Sequence, residues 1–521
     1  RGAGKGFESR LPRRRDMRED NEVPTSTIAN KRQIIYAWIG IFIVAYIFHI
    51  VTYVLYKDYK YGNFLIENIL MIIVGAAWVF GGRKCILLKC CCCCENSCED
   101  EDVSAVGEQA QQDGLGQPLI RRDEENIPTP APQRYSFLDN LKTTLTGLVI
   151  TFHVCSSFRE GAWYLTIVDG PGAKNTILIA FTLVCQSFFM TLFFLISGFF
   201  AASSFDRKGR EEFVRSKIKR LLLPFIVCSC TIYPITAVIE FQIKDDPIIY
   251  FPHASVTWYL IWLFIFCLVY STLVDGSSPS VETTGALDAE AEEYDLPKRK
   301  TRLMYGFFVC GIGMLVFAMV VVDNMFYGMP VAVGSFVCDI LMFIVGITAY
   351  RRKWFDGRSL ADRLDIPVTS LYIWTLVEGS FVALFSVLFV NNDNFGWVIC
   401  LFISGGIFNV DMNMALLTFF QARFDYTTPF SKKFAKASFT AYLVHPPIVV
   451  SLTALYIQLY NLCADENLEF EDSDDDDHEF DSGISDWGYF IGFVFVQFFT
   501  HAIVWPLSVW MSGLPVLKAY L

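Results

Sequence analysis

The chain has 521 residues, of which 53% are hydrophobic, 16% aromatic and only 18% charged, and apolar runs of about twenty residues recur along most of it. That excludes a soluble globular domain and implies an all-α integral membrane protein of many passes. The net charge of −12 is local: Asp465–Asp486 alone holds twelve acids and no Lys or Arg.

Residues 1–33 are polar and basic (Arg13, Arg14, Arg15, Lys31, Arg32) and read as a cytoplasmic tail. The first residue is Arg rather than Met, which leaves a preceding targeting segment open. Residues 34–82 read as a transmembrane hairpin, Ile34–Tyr56 and Phe64–Phe80 around a short turn, with basic residues flanking both cytoplasmic ends. Residues 83–133 form a linker that opens on cysteines. Cys85, Cys90–Cys94 and Cys98 are seven of the sixteen. A disulfide framework does not suit the reducing side, and zinc wants separated pairs, so S-acylation (palmitoylation) of Cys90–Cys94 is the expectation. Pro128, Pro130 and Pro132 close the linker, which reads as flexible.

A ten-helix core over 134–515 follows the hairpin. The expected passes are Leu138–Phe158, Thr176–Phe200, Leu221–Phe241, Val256–Val274, Leu303–Val322, Val331–Tyr350, Val368–Val390, Phe395–Phe420, Ala437–Tyr460 and Trp487–Trp510. The basic stretches Arg207–Arg220, Lys298–Arg302, Arg351–Lys353 and Lys432–Lys436 all fall on the side of the N-terminal tail. Both termini are therefore expected in the cytoplasm, in the plasma membrane or an endomembrane, with the acidic loop outside. That loop lacks the spacing and glycine of a calcium loop at Asp474–His478, so no metal is expected.

The first pass carries His153 about fifteen residues, roughly 22 Å, from its start, more than halfway across a core about 30 Å thick. An ionisable group at that depth marks either a site or a hydrogen bond that ties helices together. Ser197-Gly198, within Phe193–Phe199, permits close approach of a backbone, either to another helix or to a ligand. Lys217 and Arg220, three apart before Pro224, share one face of a regular helix; they hold a phosphate-bearing ligand or simply obey the charge rule. His253 precedes Trp258 at the outer end of the fourth pass, where an aromatic belt is the ordinary reading. Tyr442 and His445 precede Pro446-Pro447. These prolines free upstream carbonyls and suggest either a broken helix around a cavity or a plain kink.

The succession Arg134–Asp139 (RYSFLD), His153, FFLISGF ending at Phe199, Lys217–Pro224, HASVTWYL ending at Leu260, and Ser438–His445 resembles the membrane acyltransferase 3 family, closest to its glucan biosynthesis protein C-like branch. The resemblance covers about residues 134–515. It implies transfer of an acyl group, acetyl or succinyl, from cytoplasmic acyl-CoA to a hydroxyl, usually of a glycan. It further implies that His153 is catalytic and that Lys217 and Arg220, at an Arg-x-x-Arg position, engage the CoA end. Lys142 and Lys217 stand where the family more often has arginine; lysine keeps the charge but loses the bidentate fork.

The chemistry fits the residues independently. Histidine, with an ordinary pKa near 6.5, suits removal of a proton from an attacking hydroxyl, and His153 is expected to be that base. His445 or Tyr442 is expected to orient it or to stabilise the oxyanion. Arg134, Lys217, Arg220, Ser197 and Gly198 are assigned to the donor, and Trp163, His253 and Trp258 to the acceptor. Acyl-CoA is a co-substrate; lipid and a glycan acceptor are the expected partners, with no nucleic acid. The competing class is a secondary transporter using Asp339, Glu378 and Asp411 as an intramembrane relay. A non-enzymatic scaffold anchored by its cysteines leaves His153 without a purpose.

Overall fold

The computed structural model describes residues 135–159, 163–167, 173–244, 248, 252–274, 296–320, 325–326, 329–330, 335–391, 394–464 and 486–514. All belong to the compact unit 65–521. The basic tail, the N-terminal hairpin, Cys90–Cys94, Arg134 and the acidic loop up to residue 485 lie outside the described residues.

Helices account for nearly all of it: α1 Ser136–Ser156, α2 Ala173–Gln186, α3 Phe189–Lys217, a π-helix Ile218–Leu222, α4 Leu223–Cys230, α5 Ile232–Lys244, α6 Trp258–Leu273, α7 Arg299–Met304, a π-helix Tyr305–Ile312 and α8 Gly313–Val320. After a two-residue antiparallel pairing of Met325-Phe326 with Met329-Pro330 come α9 Phe336–Arg351, α10 Val368–Asn391, α11 Phe395–Arg423, α12 Pro429–Ala464 and α13 Asp486–Met511. Among the described residues seven segments are long and apolar enough to cross a membrane: 175–244, 255–273, 299–319, 368–391, 395–423, 429–463 and 487–511.

Helix α1 is not among the seven, because it carries Asn140, Lys142, Thr143, Thr144, Thr146, Thr151 and His153. It can afford them because protein covers it: α12, α11 and α13 all pack on it. Its lead-in is a clasp. Tyr135 donates to Asp356 Oδ1 at 2.5 Å, Ser136 meets Thr427 at 2.6 Å, and the Phe137 backbone N–H reaches Asp425 at 3.2 Å. Asn140 donates to the carbonyls of Phe424 and Tyr426 at 2.7 and 3.0 Å. Burial, then the bond to Asp356, pushes the Tyr135 hydroxyl well above its ordinary value, so it remains a donor at every working pH. Residues 135–140 therefore fix the height of α1 against two distant connections.

The expected basic loop 207–220 is helical instead. Helix α3 continues through it and bends at Gly209, whose φ of 69° is open to glycine but strained for other residues. Upstream, Gly198 and Gly346 face each other. A Cβ on Gly198 would collide with the Phe343 carbonyl of α9, and one on Gly346 with the Leu195 carbonyl of α3. Two backbones in contact gain dispersion where apolar lipid gives no drive to associate. The space at Gly198 is filled by a helix, not left for a ligand.

Candidate functional site

Helices α1 and α12 lie side by side, and each delivers one histidine at about the same height. His153 is seventeen residues from the start of α1 and His445 sixteen from the start of α12, about 24–26 Å along either axis. Their rings are 5.0 Å apart, centre to centre, and tilted by 32°. Trp163 completes the group, stacked 4.1 Å from His153 and 6.3 Å from His445.

Trp163 is held there by a segment folded back over the end of α1. The Ile167 N–H donates to the Ser157 carbonyl at 2.8 Å, and the Tyr164 hydroxyl donates to Ser255 at 2.9 Å. Tyr164 (φ 58°) and Ser255 (φ 40°) are both left-handed, each costing on the order of 1–3 kcal/mol. Two strained residues joined by one hydrogen bond beside a histidine pair make a site held in place by its surroundings. His253 continues the row, 5.8 Å from the Tyr164 ring and 6.0 Å from Tyr233. Burial holds its imidazole below the ordinary histidine value. Trp258 stands apart, with Phe194 of α3 as its neighbour at 6.5 Å.

Hydrogen bonds define what each ring can do. His445 Nδ1 lies 2.8 Å from the Tyr442 carbonyl, which only accepts, so Nδ1 carries the proton and Nε2 the lone pair. That Nε2 is buried and unpartnered, as is Nδ1 of His153. The site thus holds two imidazole nitrogens without a bond of their own, at the depth where a buried polar atom is costly. The Tyr442 hydroxyl donates to the Val256 carbonyl, so its proton is committed away from an oxyanion. Helix α12 runs unbroken through Pro446 and Pro447, so the broken-helix expectation does not hold.

Two neighbours escaped the sequence reading. His501 of α13 accepts from Trp505 at Nδ1 (3.3 Å), which leaves Nε2–H to face Thr151 at 3.2 Å; Gln497 also donates to Thr151, at 2.9 Å. The spacing Gln497-His501-Trp505, four and four, is the signal that marked one polar face. Arg159, just past α1, acts electrostatically on His153 and Cys155. Nothing local in sequence announces it.

On the donor side the expected geometry changes. Lys217 and Arg220 straddle the start of the π-helix, whose wider turn takes positions three apart off a common face. Lys217 is half-buried, its Nζ 5.1 Å above the Phe213 ring and acting electrostatically on Cys267, while Arg220 is exposed. Both still act on Lys208, as does Arg207, so the basic patch is wider than the pair. Ser197 is spent on the Tyr259 hydroxyl at 2.7 Å, and Gly198 on packing; neither lies open to a donor.

The three acids expected to form a relay do not form one path. Glu378 and Asp411 pair with Arg299 and Arg302 at 3.3–3.5 Å, while Asp339 accepts from Ser335 at 3.2 Å. Among the described residues no three His, Cys, Asp or Glu side chains gather as a metal site.

A family model described as an acyltransferase domain, acyltransferase 3, matches residues 135–509. Glucans biosynthesis protein C of Escherichia coli (strain SMS-3-5 / SECEC) is 30% identical over 99 residues, 19% of this chain and 24% of that protein. The protein of the same name from Shigella dysenteriae serotype 1 is 26% identical over 159 residues, 28% of this chain and 39% of that protein. The chain therefore spans well under half the length of these curated relatives. No solved structure matches it.

Proposed function

The chain belongs to the acyltransferase 3 family over residues 135–509, and from that premise we propose an integral-membrane O-acyltransferase that takes acetyl or succinyl from acyl-CoA and gives it to a hydroxyl of a glycan or similar acceptor. One observation carries the reading: two histidines from different helices, 5.0 Å apart, each keeping a buried ring nitrogen unpartnered. A structural histidine at this depth spends its nitrogens on hydrogen bonds; a base leaves one open.

His153 takes the hydroxyl proton as the oxygen attacks the thioester carbonyl carbon. The C–S bond breaks, the new C–O bond forms, and the proton passes from the imidazole to the departing CoA thiolate. His445, presenting only a lone pair, accepts from the acceptor or from His153 and so fixes its orientation. Trp163, stacked on His153, and His253 offer ring faces and a neutral imidazole to a sugar. The CoA phosphates remain at the basic patch around Lys208, Lys217 and Arg220. The transporter reading is weakened because Glu378 and Asp411 have arginine partners.

The test is transfer of label from acetyl-CoA by the purified chain. Ester-linked label on a glycan, with matching release of free CoA, is the expected result; solute uptake without acyl-CoA and no label transfer would overturn it. The helices are further assigned to ten passes, α2 with α3 and α4 with α5 making one each, and basic connections on one side. On a cysteine-depleted background, Glu211→Cys and Asp475→Cys are then expected to react with an impermeant thiol reagent from opposite sides. Reaction from the same side refutes the assignment.

A further inference from the structure

The two prolines beside His445 have a consequence for its chemistry. In a regular helix the N–H of residue 446 bonds the carbonyl of residue 442, and that of 447 bonds 443. Proline has no N–H, so Pro446 and Pro447 leave the carbonyls of Tyr442 and Leu443 without their helical donors, inside a buried helix where each must be satisfied. Both find side chains. The Tyr442 carbonyl receives His445 Nδ1–H at 2.8 Å, and the Leu443 carbonyl receives the hydroxyl of Tyr233 at 3.4 Å. Tyr233 is fully buried, and its ring also borders His253.

We propose that Pro446 is a positioning residue of the acyl-transfer site: by withholding its backbone N–H it reserves the Tyr442 carbonyl for His445, and so fixes the tautomer in which Nδ1 is protonated and Nε2 holds the lone pair beside His153. Pro447 and Tyr233 do the same for the next carbonyl and brace α12 against α5. A neutral imidazole without such an anchor is free to place its proton on either nitrogen. With Nε2 protonated it can no longer accept. The prolines thus act on the chemistry through the hydrogen bonds they withhold, within a helix that continues through them. The inference rests on the reading of the histidine pair as the reacting site.

The experiment restores the missing N–H. Pro446→Ala returns a backbone donor that shares Tyr442 O with His445 and weakens the imidazole's hold on it, and alanine is the better helix former, so the variant is expected to fold. In the full chain with ¹⁵N-labelled histidine, the wild type is expected to show one His445 tautomer, protonated at Nδ1, and Pro446→Ala a mixture. Transfer assays are expected to show kcat down about tenfold or more, part of the 10²–10⁴-fold that a base contributes, with the KM values of donor and acceptor within about twofold. Pro506→Ala, in the C-terminal part of α13, serves as the control and is expected to change neither readout. A single Nδ1-protonated tautomer in Pro446→Ala overturns the proposal, as does unchanged kcat. If His153→Ala remains inactive in that case, the reading of the site survives without this part. If His153→Ala is active as well, both fall.

Discussion

His153→Ala is expected to abolish measurable acyl transfer, with a rate loss of about 10²–10⁴-fold, while leaving membrane abundance and the melting temperature nearly unchanged. The two halves of that expectation have separate grounds. Activity falls because the nitrogen that takes the hydroxyl proton is gone. Stability holds because the ring makes few bonds to lose: Nδ1 has no partner, and the main contact is the stack on Trp163 at 4.1 Å. His445→Ala is expected to behave differently. It strips the Tyr442 carbonyl of its donor in a helix that cannot supply another, which costs on the order of 1–3 kcal/mol. It should therefore lower both turnover and thermal stability, and the contrast between the two variants is the measurement. A His153→Ala protein with near-normal turnover removes the central residue from the mechanism.

Neutralising both Lys217 and Arg220 is expected to raise the acyl-CoA KM tenfold or more and to leave the acceptor KM much less changed. Charge-assisted bonds are worth about 1.5–3 kcal/mol each, so losing two supports a shift of that size. The structure adds an asymmetry. Arg220 is exposed and free to reach a phosphate, whereas Lys217 is half-buried over Phe213 and close enough to act on Cys267. Arg220→Gln alone should thus account for most of the donor effect, and Lys217→Gln should also lower stability. Lys208→Gln is expected to add to the donor effect, since Arg220, Lys217 and Arg207 all act on it. Raised salt should weaken the wild type more than the double variant. Normal KM values in protein that inserts poorly would leave the charges a topological role only.

Much of the site was legible because depth is legible. Fifteen residues of helix fix a distance, so the position of His153 along α1 could be read from numbering alone. The apolar runs and the side on which basic residues fall are likewise properties of one-dimensional order. So was the debt left by Pro446 and Pro447: two missing N–H groups are written in the sequence, whatever repays them.

What repays them is not written there. That the Tyr442 carbonyl goes to His445 and the Leu443 carbonyl to Tyr233, 210 residues away, depends on how α5 lies against α12. The same limit explains the other departures. Gly198 is equally compatible with a ligand and a helix until Gly346 arrives opposite it. Lys217 and Arg220 share a face only if the turn is regular, and in the fold it widens into a π-helix. Glu378 and Asp411 look like a relay until Arg299 and Arg302 are brought to them from another helix. The sequence by itself determined the class, the place of the first histidine along its helix and the backbone groups left wanting, because each follows from local covalent order and the cost of polar groups in lipid. Tertiary structure alone decided which partners answer, because hydrogen bonds, ion pairs and backbone contacts act over a few ångströms and join residues that only folding brings within reach.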